Sequence, residues 1–222
     1  MSRLRVIAAG LVVIGAYFTV QSPSFAADAA VKVPAAVLAE RVVGHRETAL
    51  FAGGCFWGVE GVFHHVKGVF SATSGYAGGT AATASYETVA TGTTGHAEAV
   101  KVVFDPTKVN YADLLRIYFS VVTDPTEVNR QGPDEGRQYR TALFPQSATQ
   151  LNVARAYIAQ LGAAHVYPRA IVTKLEADSK FFPAEADHEN FMTRNPNYPY
   201  IVINDRPKVD ALKRLFPLHY QP

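Results

Sequence analysis

Cysteine is nearly absent from this chain, since Cys55 is the only cysteine among its 222 residues. A lone cysteine excludes an internal disulfide, and it excludes zinc sites of the four-cysteine and two-cysteine-two-histidine kinds. Excess charge of one sign is also absent: 21 Lys and Arg residues face 19 Asp and Glu residues, a net charge of +2. This balance excludes nucleic-acid binding through a strongly basic surface. Hydrophobic residues nevertheless form 48% of the chain, which predicts an ordered globular domain.

The N-terminal apolar run is too short for an ordinary membrane span. Val6–Val20 contains 15 residues without a charge, whereas a spanning helix needs about 20. Two arginines precede this run, and Ser24-Phe25-Ala26 follows it as a small-x-small cleavage site. The pattern predicts a signal peptide over residues 1–26 and export, to the periplasm of a bacterium; an uncleaved anchor is the alternative. We expect residues 27–46 to form an N-terminal extension and residues 47–222 to form the catalytic domain.

Strand and helix patterns alternate along the rest of the chain and predict one mixed α+β domain. Strands are predicted at 49–52, 69–76, 97–104, 139–144 and 170–175. Helices are predicted from Phe56 to Gly68, over 111–122, over about 148–161 and near 208–215, with a mostly irregular C-terminal segment beyond Phe182.

The lone cysteine lies where a strand ends and a helix begins, in the segment 53–58, GGCFWG. Unpaired amides and the dipole of a helix N-terminus favour negative charge, which predicts a lowered pKa for the Cys55 thiol. Phe56 and Trp57 cannot both point into the core, because successive helical side chains differ by about 100°. One of them is therefore expected to line a pocket beside the sulfur. The alternative is a buried, inert cysteine.

Glu98 stands on the apolar face of a predicted strand. Such a carboxyl group is either at a solvated strand end or buried with a raised pKa, and a raised pKa would let it donate a proton near neutral pH. The sequence leaves both alternatives open. His96 is expected to be a structural hydrogen-bonding residue, and His64 and His65 to point away from the sulfur. His188, flanked by acids, is a surface residue or, less readily, a metal ligand.

The sequence from about Thr48 to about Tyr200 resembles the A-type peptide methionine sulfoxide reductases. After GCFWG, the resemblance continues in that family's order through several blocks: 75–79 (GYAGG), 86–89 (YETV), 92–100 (GTTGHAEAV), 130–140 (RQGPDEGRQYR), 182–189 (FPAEADHE) and 195–196 (NP). The resemblance implies reduction of methionine S-sulfoxide, free or in proteins. It also implies a two-layer α+β sandwich related to the ferredoxin-like fold, with a mixed sheet and helices on one side.

The resemblance assigns roles to individual residues. Cys55 would attack the sulfoxide sulfur and become a sulfenic acid, and Glu98 would protonate the sulfoxide oxygen. Tyr86 and Tyr139 would hydrogen-bond that oxygen, and Asp134 would order the polar side of the site. The substrate methyl group would be bound by these residues: Phe56, Trp57 and a C-terminal tyrosine, for which Tyr200 is preferred over Tyr198. We expect no metal and no cofactor.

The sequence departs from the family pattern in one respect. Many members carry further cysteines near the C-terminus that resolve the sulfenic acid as a disulfide, and this sequence has none after Cys55. An outside thiol must then act, either a thioredoxin-like protein or a small thiol. We expect a monomer that acts on methionine sulfoxide or oxidised proteins and binds no nucleic acid.

Two other functions are compatible with a lone cysteine. The first is a cysteine-dependent hydrolase or acyl transferase, which would need a histidine such as His188 or His96 beside the sulfur. The second is a non-catalytic module whose Phe56/Trp57 pocket binds methionine-like side chains.

Overall fold

The structure, a computed structural model, describes residues 30–42, 44–176 and 179–222. The predicted signal peptide lies outside these residues. The strands are β1 (Glu47–Ala52), β2 (Val69–Ala77), β3 (Ala97–Phe104), β4 (Arg130–Gln131), β5 (Asp134–Glu135), β6 (Ala142–Phe144), β7 (Lys174–Leu175) and β8 (Phe181–Pro183). The α-helices are α1 (Phe56–His64), α2 (Tyr86–Ala90), α3 (Tyr111–Ile117), α4 (Ala148–Ala163), α5 (Phe191–Arg194) and α6 (Arg206–Leu215).

Six strands form one mixed sheet in the order β7-β6-β1-β3-β2-β8, which confirms the predicted α+β class. Only β6 and β7 run parallel, and the other neighbours are antiparallel. Strand β3 is central: it pairs Val100 with Phe51 of β1 and Glu98 with Tyr76 of β2. Asp134 lies in the separate β4–β5 ribbon, where it pairs with Gln131.

The core lies between the sheet and the helices. Side chains alternate along β1, so that Phe51 joins the large cluster with the helices while Leu50 joins a smaller cluster on the opposite face. The smaller cluster is built mainly of alanines, whereas the large one buries these aromatic side chains: Phe51, Phe56, Phe63, Phe104, Tyr111, Tyr118, Phe119 and Tyr157. Burial on this scale stabilises each large side chain by about 2–3 kcal/mol.

Local sequence signals fix several helix ends. Asn110 forms a capping box with Asp113 at the start of α3, because each side chain accepts a hydrogen bond from the other residue's backbone amide. Ser147 caps α4 by accepting from the Gln150 amide. Gly68 takes a φ of +92° in the turn between α1 and β2, a conformation that favours glycine.

The segment 30–42, within the predicted extension, packs on the domain. Val33 is fully buried, its amide donates to Ser120 Oγ, and its carbonyl accepts from Arg116 Nε. The Tyr157 hydroxyl donates to the Pro34 carbonyl.

The structure also departs from the predicted elements. Tyr111–Val122 is helical as predicted, but the last five residues widen into a π-helix. The predicted strand over 170–175 is reduced to Lys174–Leu175, and α2 was not predicted because five residues are too few for a periodic signal. At the C-terminus, a π-helical turn (Ile201–Asp205) precedes α6. No helix of the described residues is long and apolar enough to span a membrane.

Candidate active site

The site begins at the turn between β1 and α1. Gly54 has a φ of +92°, and a Cβ there would approach the Gln131 side chain to 2.8 Å. Glycine is therefore required both by the conformation and by the space. The turn places Cys55 at the N-cap of α1, where 8% of the residue is exposed. The structure thus puts the cysteine at the predicted strand–helix junction.

Glu98 reaches the same helix start from β3. Its Oε2 accepts a hydrogen bond from the Phe56 backbone amide at 3.0 Å, so the carboxyl group lies at the first turn of α1 beside Cys55. Only 2% of Glu98 is exposed. Burial raises the pKa of Glu98 to about 8, although the Phe56 amide acts in the opposite direction. Of the two alternatives that the sequence left open, the buried carboxyl group with a raised pKa is the observed one.

The predicted lowering of the Cys55 pKa is wrong for this structure. Burial raises the pKa of the Cys55 thiol well above its ordinary value, and the charges of Glu98, Asp205 and Asp134 raise it further. The Trp57 amide lowers it, but this is the smaller effect. Desolvation and three carboxyl groups therefore outweigh the helix N-terminus. At neutral pH these raised pKa values favour a protonated thiol beside a protonated carboxyl group.

Phe56 and Trp57 divide as expected between core and pocket. Phe56 is 1% exposed and belongs to the core, whereas Trp57 is half-buried. The Trp57 indole stacks on Phe191 with a centroid separation of 3.8 Å, and Tyr200 meets it edge-on at 5.9 Å. Tyr198, which is more exposed, meets it at 6.2 Å. Both C-terminal tyrosines that the sequence left as alternatives therefore border Trp57.

The remaining predicted residues gather around Cys55 and Glu98. Tyr86 and Tyr139 are half-buried, and their pKa values are raised first by burial and then by the charge of Glu98. Their hydroxyl groups therefore stay protonated and can donate hydrogen bonds. The Tyr200 hydroxyl donates to Asp134 Oδ2, and this hydrogen bond joins the β4–β5 ribbon to the C-terminal segment.

His188 was assigned to the surface or to a metal, but it lies within a cluster of aromatic rings, the aromatic wall, together with Phe56, Trp57, Tyr86, Phe191 and Tyr200. Its Nδ1 accepts from Trp57 Nε1 at 3.3 Å, and its ring lies 4.2 Å from that of Tyr86 and 5.3 Å from that of Phe56. Burial lowers the pKa of His188, which favours the neutral ring. Its position next to the site could not be read from the sequence, since only the fold brings the 185–191 loop to α1.

The other histidines have structural contacts. His96 is fully buried and bonds through Nε2 to the Thr80 carbonyl, as predicted. His64 and His65 bond to the carbonyls of Ala72 and Gly61. No group of three or more potential metal ligands occurs in the part of the chain that the structure describes.

Sequence analysis did not identify three further residues near the site. Glu185 accepts hydrogen bonds from the Tyr76 hydroxyl and from the Tyr86 amide, which fixes the start of α2. Phe191 stacks on Trp57. Asp205 is fully buried against α1. The predicted irregular C-terminus gave no signal for these contacts.

Comparison with known proteins gives a consistent result. The family model described as peptide methionine sulfoxide reductase matches residues 47–218. The peptide methionine sulfoxide reductase MsrA 2 of Mesorhizobium japonicum is 56% identical over 181 residues, which are 82% of this chain and 93% of that protein. The MsrA of Deinococcus radiodurans is 47% identical over 171 residues, covering 77% of this chain and 82% of that protein.

Solved structures show the same fold. Reduced Mxr1 from Saccharomyces cerevisiae aligns with a TM-score of 0.63 and 28% identity, over 73% of this chain and 92% of that chain. Methionine sulfoxide reductase A of Corynebacterium diphtheriae aligns with a TM-score of 0.58 and 31% identity, over 69% and 77% of the two chains. A helix-start cysteine beside a buried carboxylic acid, on this α+β sheet, defines a thiol-dependent oxidoreductase. The chain belongs to the peptide methionine sulfoxide reductase family, and within it to the A type, MsrA.

The stability of the protein should report the proton on Glu98. Because the pKa of Glu98 is about 8 in the folded state and ordinary in the unfolded state, unfolding releases a proton between about pH 4.5 and 8. The wild type should therefore lose stability relative to Glu98→Gln as the pH rises through this range, by at most about 1.4 kcal/mol per pH unit. Urea unfolding of both proteins at pH 5, 6, 7 and 8 measures this.

The exposed Glu87, changed to Gln, is the control and should follow the wild type. A constant difference between the wild type and Glu98→Gln from pH 5 to pH 8 would show that Glu98 is already ionised.

Proposed function

We propose that this protein reduces methionine S-sulfoxide, free or in proteins, with Cys55 as nucleophile and Glu98 as acid. The observation that carries the proposal is the hydrogen bond from the Phe56 amide to Glu98, which holds a buried carboxyl group beside the only cysteine. A sulfoxide oxygen leaves sulfur only after it is protonated. The raised pKa of Glu98 keeps a proton available for this step near neutral pH.

The reaction transfers one oxygen atom and two electrons. The Cys55 sulfur attacks the sulfoxide sulfur and forms a transient S–S bond, Glu98 gives its proton to the oxygen, and the thiol proton returns Glu98 to its acid form. The hydroxyl group then passes to the Cys55 sulfur: the substrate S–O bond and the S–S bond break and a Cys55 S–O bond forms, which leaves a thioether and a sulfenic acid. While Glu98 is protonated, its charge does not oppose ionisation of the thiol. Tyr86 and Tyr139 donate hydrogen bonds to the oxygen as negative charge develops on it.

The aromatic wall supplies the substrate pocket. Trp57 is the half-buried part of this wall, and Phe56 belongs to the core. Stacking on Phe191 and the hydrogen bond to His188 hold the indole in position. Such a surface binds the methyl group of methionine sulfoxide through apolar contact and leaves the polar oxygen toward Glu98 and the tyrosines.

The histidine contacts disfavour an acyl-transferase function. That chemistry needs a histidine that takes the cysteine proton. His188 Nδ1 is instead occupied by Trp57, and His96 Nε2 by a backbone carbonyl.

Single-turnover reduction of methionine S-sulfoxide tests the assignment of Glu98. Glu98→Gln keeps the shape of the side chain but holds no transferable proton, so the rate should fall by about 10²–10⁴-fold. Cys55→Ser should form no methionine at all. Methionine formation in rapid-quench samples is the measurement, and the exposed Glu87→Gln should react like the wild type. An unchanged rate for Glu98→Gln would remove Glu98 as the acid, and turnover by Cys55→Ser would contradict the whole mechanism.

The oxidised cysteine must be reduced by another molecule, since no second cysteine is present in the sequence. The thiolate of a thioredoxin-like protein or of a small thiol attacks the sulfenic sulfur. The sulfenic S–O bond breaks, hydroxide leaves and is protonated to water, and a mixed disulfide forms. A second thiol then releases Cys55. We assign the first step to an outside thiol on this cysteine count alone.

Without a reductant, one equivalent of methionine S-sulfoxide should leave a Cys55 sulfenic acid that reacts with dimedone. Intact-mass spectrometry should show the dimedone adduct on nearly every molecule, and prior addition of thioredoxin or dithiothreitol should prevent it. The control is the same incubation with methionine in place of the sulfoxide. An unmodified, alkylatable thiol after sulfoxide treatment would argue against this cycle.

We also propose that the protein is exported to the periplasm of its bacterium. The basic, apolar and small-residue segments of residues 1–26 support this proposal. Expression of the full chain in a Gram-negative host should give a periplasmic protein that begins at Ala27, as measured by N-terminal mass spectrometry. Ala26→Leu should block cleavage. Recovery of the full-length wild-type chain in the membrane would indicate the uncleaved anchor instead.

A further inference from the structure

Asp205 is a buried carboxylate that the proposed reaction does not use. It is fully buried at the junction of the Ile201–Asp205 turn and α6, and these two elements pack against α1. Neither carboxylate oxygen has a hydrogen-bond partner among the described residues. Lys208 forms an ion pair with it, with 3.6 Å between Nζ and Oδ1. Burying a carboxylate that accepts no hydrogen bond costs free energy. This cost indicates that Asp205 has a function at this position.

The geometry places this carboxylate against the first turn of α1. A Cβ built on Gly58 would overlap with Asp205 Oδ1, and the glycine therefore leaves the space that the carboxylate occupies. Gly58 lies three residues after Cys55, on the same turn of the helix. Asp205 thus lies near the nucleophile at the first turn of α1 and acts on it as a charge, not as a hydrogen-bonding partner.

We propose that Asp205 is a positioning residue that keeps Cys55 in the protonated thiol form in the resting enzyme and so protects it from peroxides. The reaction that is suppressed is attack of the Cys55 thiolate on hydrogen peroxide. In that reaction an S–O bond forms, the O–O bond breaks and hydroxide leaves. Further peroxide would give an irreversible sulfinic acid. Because this chain has one cysteine, it cannot convert the sulfenic acid into an internal disulfide before peroxide oxidises it further. The proposal rests on the nucleophilic role of Cys55.

The charges around Asp205 agree with this role. Lys208, in the first turn of α6, forms the ion pair with Asp205. The other titratable groups around Asp205 belong to the site: Cys55, Glu98, Asp134 and Tyr200. Asp205 raises the pKa of the Cys55 thiol, second among the charges after Glu98. Its own pKa is raised by burial to about 6, so it is ionised at neutral pH. Glu98, with a pKa of about 8, is mostly neutral at pH 7, whereas Asp205 carries a negative charge there.

Alkylation of Cys55 by iodoacetamide between pH 5 and pH 10 tests this without requiring catalysis, so its result is independent of whether sulfoxide is reduced. In Asp205→Asn the Cys55 thiol should ionise at a pH lower by about one unit. The rate at pH 7 should rise about threefold, because about tenfold more thiolate is offset by about threefold lower nucleophilicity. Loss of the thiol to hydrogen peroxide should accelerate in the same variant.

Asp210→Asn is the matched control, since it removes the same charge from an exposed position of the same helix. It should leave the alkylation rate at pH 7 unchanged. An unchanged rate at pH 7 in a folded Asp205→Asn protein would overturn the proposal, as would an equal increase in Asp210→Asn.

A measurement on the wild type keeps the test valid if Asp205→Asn does not fold. Below its own pKa an isolated thiol reacts tenfold faster per pH unit. Ionisation of Asp205 near pH 6 should flatten this rise between about pH 5.5 and 6.5. A tenfold rise per unit throughout that range would overturn the proposal, and a flattened rise that survives in Asp134→Asn would support it.

Discussion

The backbone amide of Phe56 donates a hydrogen bond to Glu98, and this contact joins the first turn of α1 to the central strand of the sheet. The helix start and the strand approach each other only because Gly54 turns the chain at a positive φ. Once they meet, the cysteine and the carboxyl group lie side by side in a place that excludes water. Trp57 follows on the same helical turn, so the apolar wall of the pocket is fixed by the same contact.

Burial has opposite consequences for the two reacting groups. For Glu98 it keeps a proton on a carboxyl group at neutral pH, which is the state that an acid catalyst needs. For Cys55 it keeps a proton on the thiol, which makes the resting nucleophile weak. A helix N-terminus therefore does not by itself make a reactive cysteine when carboxyl groups surround it. The resting site is one in which both partners are neutral and poorly reactive toward solvent.

The parts of the fold that were predictable are those with a local signal. Strand β3 was predicted at its observed bounds because its side chains alternate, and the helix after Cys55 was predicted from apolar spacing. The roles of Gly58 and His188 could not be predicted from a local sequence pattern. Each owes its role to a partner more than 100 residues away, Asp205 for the glycine and Trp57 for the histidine. Sequence spacing carries no information about such contacts.

The sequence by itself determined the chemistry that is available: one cysteine, no internal resolving partner, and an acid on an apolar strand face. It also determined the order of the elements, since hydrophobic periodicity is a local property of the chain. Only the tertiary structure decided the protonation state of the site. That state depends on how far Cys55 is from water and on which carboxyl groups distant segments bring beside it, Glu98 from β3 and Asp205 from the C-terminus. Desolvation and Coulomb interactions act through space, and only the folded chain defines that space.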